Sequence, residues 1–423
     1  MKTVGLIVEY NPLHNGHVHH FSEAKRITGA EASVAVMSGC FLQRGEPAAV
    51  DKWTRAEMAL RMGVDLVLEL PVAYAVQPAE WFAYGAVKLL DATGLVTDLC
   101  FGTEAGDLAQ LLPLAELLHG ESGELKAALA EELAGGASYP AAFAAAAARL
   151  AAREFGAPGA ATREGRAPLR LAREILMQPN NSLGLHYLIA LRRLGSAIRP
   201  SSIPRQGAGY HDEQPVEGAI ASATAVRRLL AGPGGLDAAR PYIPAWTADL
   251  LAREFAAGRG PVTWERFRAP LFRQLLLQSP QELSRHHEVT EGLEYRLHRS
   301  LQGLSAVSVE ALLDAVKTRR YTRTKLQRML VHLLLGHTKE ALAPSALSQG
   351  PEYIRVLGFS PVGRQLLAQM KQTASLPVLT RTPGQPYPGL QLDIRASSLY
   401  ESVLSETGAA DWFRDYKQPP LRS

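Results

Sequence analysis

The first hundred residues alternate short apolar runs with helical patterns, and no other feature of the chain constrains its fold as strongly. Four apolar runs indicate buried strands, at residues 3–9, 32–37, 65–70 and 96–101. Helical patterns separate them, beginning after Gly16 and covering residues 54–62 and 80–92. None of the four runs alternates polar with apolar residues, and such strands form parallel sheets that helices cover on both faces. The sequence therefore predicts an α/β fold.

Chain length and a change of composition predict a second domain. A chain of 423 residues is longer than one ordinary hydrophobic core requires. Residues from about 120 to 166 are rich in alanine and predict a helical insertion. The Gly-Pro-Gly-Gly run at residues 232–235 breaks regular structure, and helical patterns dominate after it. We therefore expect a first domain at residues 1–235 and a mostly helical α+β domain at residues 236–423.

Composition excludes several classes of protein. Hydrophobic residues at 47% and charged residues at 20% exclude a largely disordered chain. The uncharged stretches fall short of the ~20 residues that span a bilayer, and the first apolar run meets Glu9 too early for a secretion signal. Cys40 and Cys100 are too few for a disulfide scaffold and lack a zinc-binding spacing. We therefore expect a cytoplasmic protein without a membrane partner, a disulfide partner or a dedicated metal site.

The motif His14-Asn15-Gly16-His17 follows directly on the first predicted strand. A glycine at this position lets the backbone approach a phosphate, and the next helix offers free N–H groups and the positive end of its dipole. Two imidazoles add hydrogen-bond donors for phosphoryl oxygens. The motif therefore indicates an ATP site in which His14 and His17 are catalytic. The alternative is a turn that contains two histidines by chance.

A second group of residues opens a later helix. In the segment 220–227, Ser222 and Thr224 supply hydroxyls and Arg227 supplies a guanidinium at a helix N-terminus, where triphosphate oxygens bind well. The alternative is that Ser222 or Thr224 only caps the helix and Arg227 lies on a solvated face. Together, the HxGH and SxTxxR motifs resemble those of the nucleotidylyl-transferase superfamily. This resemblance implies catalytic roles for Ser222, Thr224 and Arg227.

Further motifs resemble the bacterial tRNA(Met) cytidine acetate ligases along nearly the whole chain. They are Ser38–Pro47, Asp51–Arg55, Phe101–Glu104, Pro179–Gly184, Arg205–His211, Lys317–Arg328 and Leu392–Ala396. The resemblance implies an N-terminal Rossmann-like nucleotidyltransferase domain that activates acetate with ATP, and a mostly helical C-terminal domain that binds tRNA. It also implies that acetyl-adenylate forms and that the acetyl group passes to the wobble cytidine of elongator tRNA(Met), which gives N4-acetylcytidine.

The resemblance implies a set of ATP contacts as well. They are Ile7, Val8, Glu9, Tyr10, Asn11, Pro12, His14, Asn15, Gly16, His17, His20, Gly102, Asn180 and Arg205. Three of them have structural alternatives: Gly102 as a left-handed turn, Asn180 as a helix cap and Arg205 in a surface salt bridge. Chemistry of this kind usually needs Mg²⁺, and Glu9 and Glu104 are candidates to orient it, although the sequence shows no full carboxylate cage.

The segment Lys317–Arg328 carries six positive charges and no negative one. One continuous helix would turn Arg319 and Arg323 into its own apolar arc, so we expect a helix break here, with Thr322 or Thr324 capping the second helix. Such a basic connection can meet RNA phosphates, and the alternative is a solvated basic turn. The residues predicted to bind tRNA are Lys317, Arg319, Arg320, Arg323, Lys325 and Arg328.

Two other functions are compatible with parts of the sequence. A small-molecule adenylyltransferase would keep AMP in its product, whereas a catalytically inactive nucleotide-fold protein would only bind RNA. The basic segment and the long second domain argue against the first function. The intact HxGH and SxTxxR motifs argue against the second.

Overall fold

A computed structural model describes most of the chain. It covers residues 1–104, 106–120, 122–155, 175–204, 220–385, 387–404 and 412–423. The predicted ATP contact Arg205 and the last part of the alanine-rich insertion, residues 156–166, lie outside these described residues.

One mixed sheet forms the centre of the structure. Its strands are β1 (Thr3–Val8), β2 (Ala32–Ser38), β3 (Leu66–Leu70), β4 (Asp98–Thr103), β5 (Arg199–Pro204), β6 (Ile354–Phe359), β7 (Val378–Leu379) and β8 (Leu421–Arg422). They lie in the order β5-β4-β1-β2-β3-β6-β7, and β8 also pairs with β6. β1 to β5 are parallel to one another, whereas β6 joins β3 in the antiparallel direction. The predicted α/β fold with a parallel sheet is confirmed.

Helices make up most of the remaining structure. They are α1 (Asn15–Thr28), α2 (Lys52–Met62), α3 (Val72–Ala75), α4 (Ala79–Ala92), α5 (Leu111–Leu118), α6 (Gly123–Ala134), α7 (Tyr139–Phe155), α8 (Pro179–Arg193), α9 (Ala223–Ala231), α10 (Gly235–Ala239), α11 (Ala245–Ala256), α12 (Arg268–Leu277), α13 (Pro280–Leu283), α14 (Leu293–Gln302), α15 (Val309–Val316), α16 (Arg323–Leu335), α17 (Pro344–Leu347), α18 (Pro361–Thr373), α19 (Pro388–Ser402) and α20 (Arg414–Lys417). The three helices predicted between the first strands correspond to α1, α2 and α4.

Successive residues of a central strand enter two different cores. Val34 and Val36 of β2 belong to the core that α4 covers. Ala35 and Met37 belong to the core on the other face, with Trp53 of α2. Because both faces are covered, all seven residues of β2 are buried. This explains why the strand sequences show no alternation of polar and apolar residues.

A third core joins the C-terminal helices to a loop of the sheet. It gathers apolar residues of α12, α14, α15 and α16, and Phe41 from the loop after β2 lies among them. The ring centroids of Phe41 and Phe267 are 5.4 Å apart. The loop between β2 and α2 therefore lies between the sheet and the C-terminal helices.

The two predicted domains share the central sheet. β6, β7 and β8 come from beyond residue 236 and extend the sheet at the β3 edge. The central sheet therefore contains strands from both sides of the predicted boundary at residues 235 and 236. That boundary between two domains stays a prediction. In the alanine-rich insertion, α6 and α7 pack against each other and bury Ala144 and Ala147 in the first core.

The predicted helix break in the basic segment is confirmed. α15 ends at Val316 and α16 begins at Arg323. Thr322 is the N-cap, because its hydroxyl accepts a hydrogen bond from Lys325 N at 3.3 Å. Of the two predicted caps, Thr322 is therefore correct and Thr324 lies inside the helix.

Candidate active site

A cleft of about 320 Å³ opens at the carboxyl ends of the parallel strands. β1 contributes Ile7 and Val8, β4 contributes Gly102, and β5 contributes Ile203 and Pro204. β1 and β4 are adjacent but not consecutive, so the direction in which the chain winds reverses between them. Ligands of open α/β sheets bind in the crevice at this point. The fold therefore places the cleft where a nucleotide is expected.

His14 and His17 face each other at the start of α1. His14 N donates to His17 Nδ1 at 3.2 Å, and His14 Nδ1 accepts from Gly16 N at 3.1 Å. The two ring centroids are 3.8 Å apart. A ring nitrogen that accepts carries no hydrogen, so each neutral ring has its hydrogen on Nε2. Both side chains line the cleft and supply an N–H donor that suits phosphoryl oxygens.

Gly16 makes room for this pair of rings. A Cβ at Gly16 would lie 2.9 Å from His14 Cε1 and 3.0 Å from His14 Nδ1. Tyr10, just before the motif, has a φ of 49°, a left-handed conformation that non-glycine residues rarely adopt. Its ring meets the ring of His17 edge-on, with centroids 5.0 Å apart. The packing of His14 therefore leaves little room for any side chain at Gly16.

The N-terminus of α9 reaches the same cleft. Ser222 caps this helix, since its hydroxyl accepts from Ala225 N at 3.1 Å, and it also lines the cleft. Arg227 is only 26% exposed, so a solvated face is the wrong alternative. Its Nη1 donates to Asn11 O at 3.2 Å and its Nη2 to Thr224 Oγ1 at 3.4 Å. The cap interpretation of Ser222 is therefore confirmed, and its position in the cleft is compatible with the predicted catalytic role, which stays a prediction.

Glu9 brings a carboxyl group to the cleft at the end of β1. Its Oε1 accepts from Gln43 N at 2.8 Å. The pKa of Glu9 is raised by burial, lowered in part by the Gln43 hydrogen bond, and raised again by the nearby carboxylate of Glu46. The net shift is upward, so Glu9 ionises less readily than a carboxyl group in water. A cation bound beside it would favour the ionised form.

Asn180 lines the cleft at the start of α8. The N-cap of this helix is Gln178, so the cap alternative for Asn180 is wrong. Instead, Asn180 Nδ2 and Asn180 N donate to Glu104 Oε1 at 2.6 and 3.1 Å. Glu104, a candidate for orienting Mg²⁺, is therefore held at this helix terminus. Gly102 pairs with Ile203 inside β4 and is not among the residues of positive φ, so the left-handed turn is also wrong.

Most residues predicted to bind ATP meet in this cleft. Those that line it are Ile7, Val8, Glu9, Tyr10, Asn11, His14, Gly16, His17, His20, Gly102 and Asn180, together with Ser222, Thr224 and Arg227. Pro12 and Asn15 belong to the same loop but do not line the cleft. Asn15 Nδ2 instead donates to Pro241 O at 3.1 Å. The roles of these residues toward ATP stay predictions.

Several cleft residues received no role from the sequence. Gln43, Arg44 and Glu46 lie in the loop after β2, within the motif Ser38–Pro47. This motif was part of the family resemblance, but its charged and amide residues lie next to no predicted strand end or helix start. The sequence therefore indicated no position for these side chains. The apolar part of the lining comes from Leu42, Phe82, Phe101, Leu183, Tyr187, Ile203 and Ile220. These residues are indistinguishable from ordinary core in the sequence.

Folding brings acids to the basic segment Lys317–Arg328. Arg320 donates to both oxygens of Glu291, at 2.7 Å each. Arg323 donates to Glu310 Oε1 at 2.8 Å. The absence of negative charge in the local sequence therefore does not describe the folded surface.

Two further cations of the segment turn inward. Arg328 pairs with Glu288 at 3.1 Å, and the two side chains are 10% and 9% exposed. Lys325 Nζ donates to Glu288 O at 3.4 Å, and burial lowers the pKa of Lys325. Lys317 and Arg319 are exposed. tRNA binding by this segment stays a prediction, and Lys317 and Arg319 are its best-placed residues.

Three further features of the described residues concern metal ions, membranes and thiols. Among its residues, no group of three or more histidine, cysteine, aspartate or glutamate side chains is arranged to hold a metal ion. None of its helices is both long and apolar enough to cross a bilayer. Cys40 and Cys100 are buried free thiols, and burial raises the pKa of each to about 12. Neither thiol is therefore suited to act as a nucleophile.

Known proteins match the chain over its whole length. The family described as HIGH Nucleotidyl Transferase matches residues 1–412. The tRNA(Met) cytidine acetate ligase of Lysinibacillus sphaericus is 39% identical and covers 100% of both chains, and that of Bacillus licheniformis is 41% identical over 96% of this chain and 93% of its own. The crystal structure of Thermotoga maritima TmcAL bound with alpha-thio ATP is similar with a TM-score of 0.87, 34% identity and full coverage of both chains. The chain therefore belongs to the HIGH nucleotidyl transferase family and, within it, to the tRNA(Met) cytidine acetate ligases.

Proposed function

We propose that this protein is an ATP-dependent ligase that activates acetate as acetyl-adenylate. It then transfers the acetyl group to the wobble cytidine of elongator tRNA(Met), forming N4-acetylcytidine. The observation that carries the proposal is the convergence of His14, His17 and Arg227 with two helix N-termini in one cleft. The full-length relatives named as tRNA(Met) cytidine acetate ligases support the choice of substrate.

In the first step, an acetate oxygen attacks the α-phosphorus of ATP and the bond from that phosphorus to the bridging oxygen breaks. Pyrophosphate leaves. Negative charge grows on the phosphoryl oxygens, and the Nε2–H groups of His14 and His17 stabilise it. Arg227 and the N-terminus of α9 hold the departing phosphates. Asn11 Nδ2, which is buried without a hydrogen-bond partner among the described residues, offers one more donor to a ligand oxygen.

In the second step, the N4 amine of cytidine attacks the acetyl carbon of the adenylate. The bond from that carbon to the phosphate-linked oxygen breaks, AMP leaves, and N4 releases a proton. The amine is a weak nucleophile, which is why acetate is first converted into a mixed anhydride. The wobble base must also leave its stack to reach the cleft, which anticodon-loop bases do at low cost because they are unpaired.

Magnesium is expected to enter the cleft with ATP. Mg²⁺ is usually held by one or two carboxylates together with substrate phosphates, rather than by a cage of protein ligands. Glu9 fits this role, because it lines the cleft and because a neighbouring cation would favour its ionised form. When bound, the ion would offset the charge of the triphosphate.

We assign acetate activation to residues 1–235 and tRNA binding to residues 236–423. The exposed side chains of Lys317 and Arg319 are the first candidates for phosphate contacts. Arg320 and Arg323 could join them only by exchanging carboxylates for phosphates.

The proposal is tested by incubating the protein with ATP, labelled acetate and bulk tRNA. We expect label in N4-acetylcytidine of tRNA(Met), with one AMP and one pyrophosphate formed per acetyl group. A small-molecule adenylyltransferase would incorporate AMP into another acceptor and leave the tRNA unlabelled. An inactive RNA-binding protein would bind tRNA and consume no ATP. Either result refutes the proposal.

A further inference from the structure

We propose that Glu46 is a positioning residue that holds Arg227 where the triphosphate binds. The C-terminal helices hold the loop that carries Glu46. These helices therefore help to set the geometry of the ATP cleft. The inference rests on the proposed binding of ATP and concerns a residue to which the sequence motifs gave no role.

The Glu46–Arg227 pair lies inside the cleft. Glu46 Oε2 is 3.1 Å from Arg227 Nη2, and the two side chains are 29% and 26% exposed. Arg227 also donates to Asn11 O and to Thr224 Oγ1. A guanidinium has five N–H donors in one plane, so these three bonds fix that plane and leave donors for a ligand. Of the three acceptors, only Glu46 carries a charge.

Glu46 sits in a closed turn, which we call the 41–47 turn. Its ends, Phe41 and Pro47, pair as an antiparallel bridge. Inside it, Leu42 N donates to Glu46 O at 2.9 Å and Gly45 N donates to Leu42 O at 2.8 Å. The backbone that carries the Glu46 carboxylate is therefore held by its own hydrogen bonds.

The 41–47 turn lies directly on α16. Gly45 has a φ of 73°, and a Cβ there would lie 2.2 Å from Arg328 N and 2.6 Å from Arg328 Cα. Trp264 Nε1 donates to Gly45 O at 2.9 Å. Only a glycine fits between the turn and the helix backbone. A shift of α16 therefore moves the turn and, with it, Glu46.

Glu46 also lies within electrostatic reach of a second arginine. The pKa of Arg323, the first residue of α16, is raised mainly by its hydrogen bonds to Glu310, with smaller contributions from Asp314 and Glu46. The Glu46 carboxylate is therefore paired with Arg227 in the cleft and lies close enough to Arg323 in the basic segment to interact with its charge.

Measuring the affinities for ATP and for adenosine distinguishes a positioning role of Glu46 from a general effect on folding. Adenosine lacks the phosphates that Arg227 would contact. We expect Glu46→Ala to weaken ATP binding about tenfold, the cost of one charged hydrogen bond, and to leave adenosine binding unchanged. Glu46→Gln should retain ATP binding to within about threefold, because its amide oxygen can accept the same hydrogen bond. The matched control is Glu57→Ala. Glu57 is buried to a similar extent, lies outside the cleft, and forms ion pairs with Arg61 and Arg253 that the substitution removes.

A double-mutant cycle tests whether Glu46 acts through Arg227. In an Arg227→Ala background, Glu46→Ala should cause no further loss of ATP affinity. The inference is overturned if Glu46→Ala leaves ATP binding intact or tightens it, if ATP and adenosine affinities fall together, or if the two substitutions act additively. A wild-type protein that binds ATP no better than adenosine would overturn the proposed function and this inference with it.

Discussion

The cleft and the basic segment differ in how well the sequence predicts which charged side chains meet in the folded protein. In the cleft, His14 and Arg227 are far apart in the chain but line one space. In the segment Lys317–Arg328, adjacent cations separate, and Arg320, Arg323 and Arg328 each meet a carboxylate from elsewhere. A motif that is tied to a strand end or helix start fixes where its side chains lie. A run of like charges fixes nothing about the acids that folding will bring to it.

The largest expected effect is a loss of acetate activation on substitution of the cleft histidines, with tRNA binding unaffected. His14→Ala or His17→Ala should slow acetate-dependent ATP–pyrophosphate exchange between 10²- and 10³-fold, because each removes a donor for the phosphoryl oxygens. tRNA affinity should stay near the wild-type value. The matched control is the exposed His298→Ala, which should exchange normally. Near-normal exchange in either cleft variant would remove the catalytic assignment.

Within the basic segment, Arg328 should behave as a structural residue. Arg328→Ala leaves the buried carboxylate of Glu288 unpaired and should lower the free energy of unfolding by about 3 kcal/mol. Adding Glu288→Gln should recover part of this loss, since it removes the orphaned charge. Denaturant unfolding measures both. If Arg328→Ala weakens tRNA binding while stability is unchanged, the segment is a binding surface after all.

Acid should destabilise the helix that carries this segment. Burial lowers the pKa of His337 to about 3 and that of its neighbour His332 well below its usual value, and their Nδ1 atoms are 3.0 Å apart. Both rings are neutral when folded but protonate near pH 6.5 when unfolded, so stability is complete above that pH and falls as the pH drops toward 3. We expect each histidine to contribute about 1.4 kcal/mol per pH unit in this window.

Unfolding measured between pH 4 and 7 tests this expectation. His337→Asn should flatten the pH dependence, and the exposed His298→Asn should leave it unchanged. Equal slopes for wild type and His337→Asn would show that the buried ring does not stay neutral.

The smallest expected effect concerns the two exposed cations of the segment. Lys317→Ala with Arg319→Ala should reduce the salt dependence of tRNA binding by about one to two log units of affinity per log unit of salt, since two counterion-releasing contacts are lost. The paired Arg149→Ala with Arg153→Ala, in the alanine-rich insertion, removes the same charge elsewhere and should have less effect. A wild-type slope in the Lys317 and Arg319 variant would place the tRNA on another face.

Local patterns in the sequence predicted the parallel strands, the first helices, the break before Thr322 and the two motifs that open α1 and α9 at the cleft, whereas the other predicted ATP contacts came from the family resemblance. Each of these local features depends on neighbours along the chain: apolar runs, caps and motifs at strand ends. The antiparallel pairing of β6 with β3 depends on contacts between distant parts of the chain. So do the ion pairs of Arg320 and Arg328. The place of Glu46 beside Arg227 was missed for the same reason, because the 41–47 turn is positioned by α16 and Trp264.

The central claim is that acetate attacks the α-phosphorus of ATP in this cleft, and the fate of an acetate oxygen tests it most directly. The protein is supplied with acetate labelled with ¹⁸O in both oxygens, ATP and tRNA(Met), and the released nucleotide is analysed by mass spectrometry. Because one acetate oxygen stays on phosphorus when the acetyl carbon is transferred, we predict AMP that carries one ¹⁸O for each acetylcytidine formed. Unlabelled AMP, or ADP as the stoichiometric product, would contradict the account.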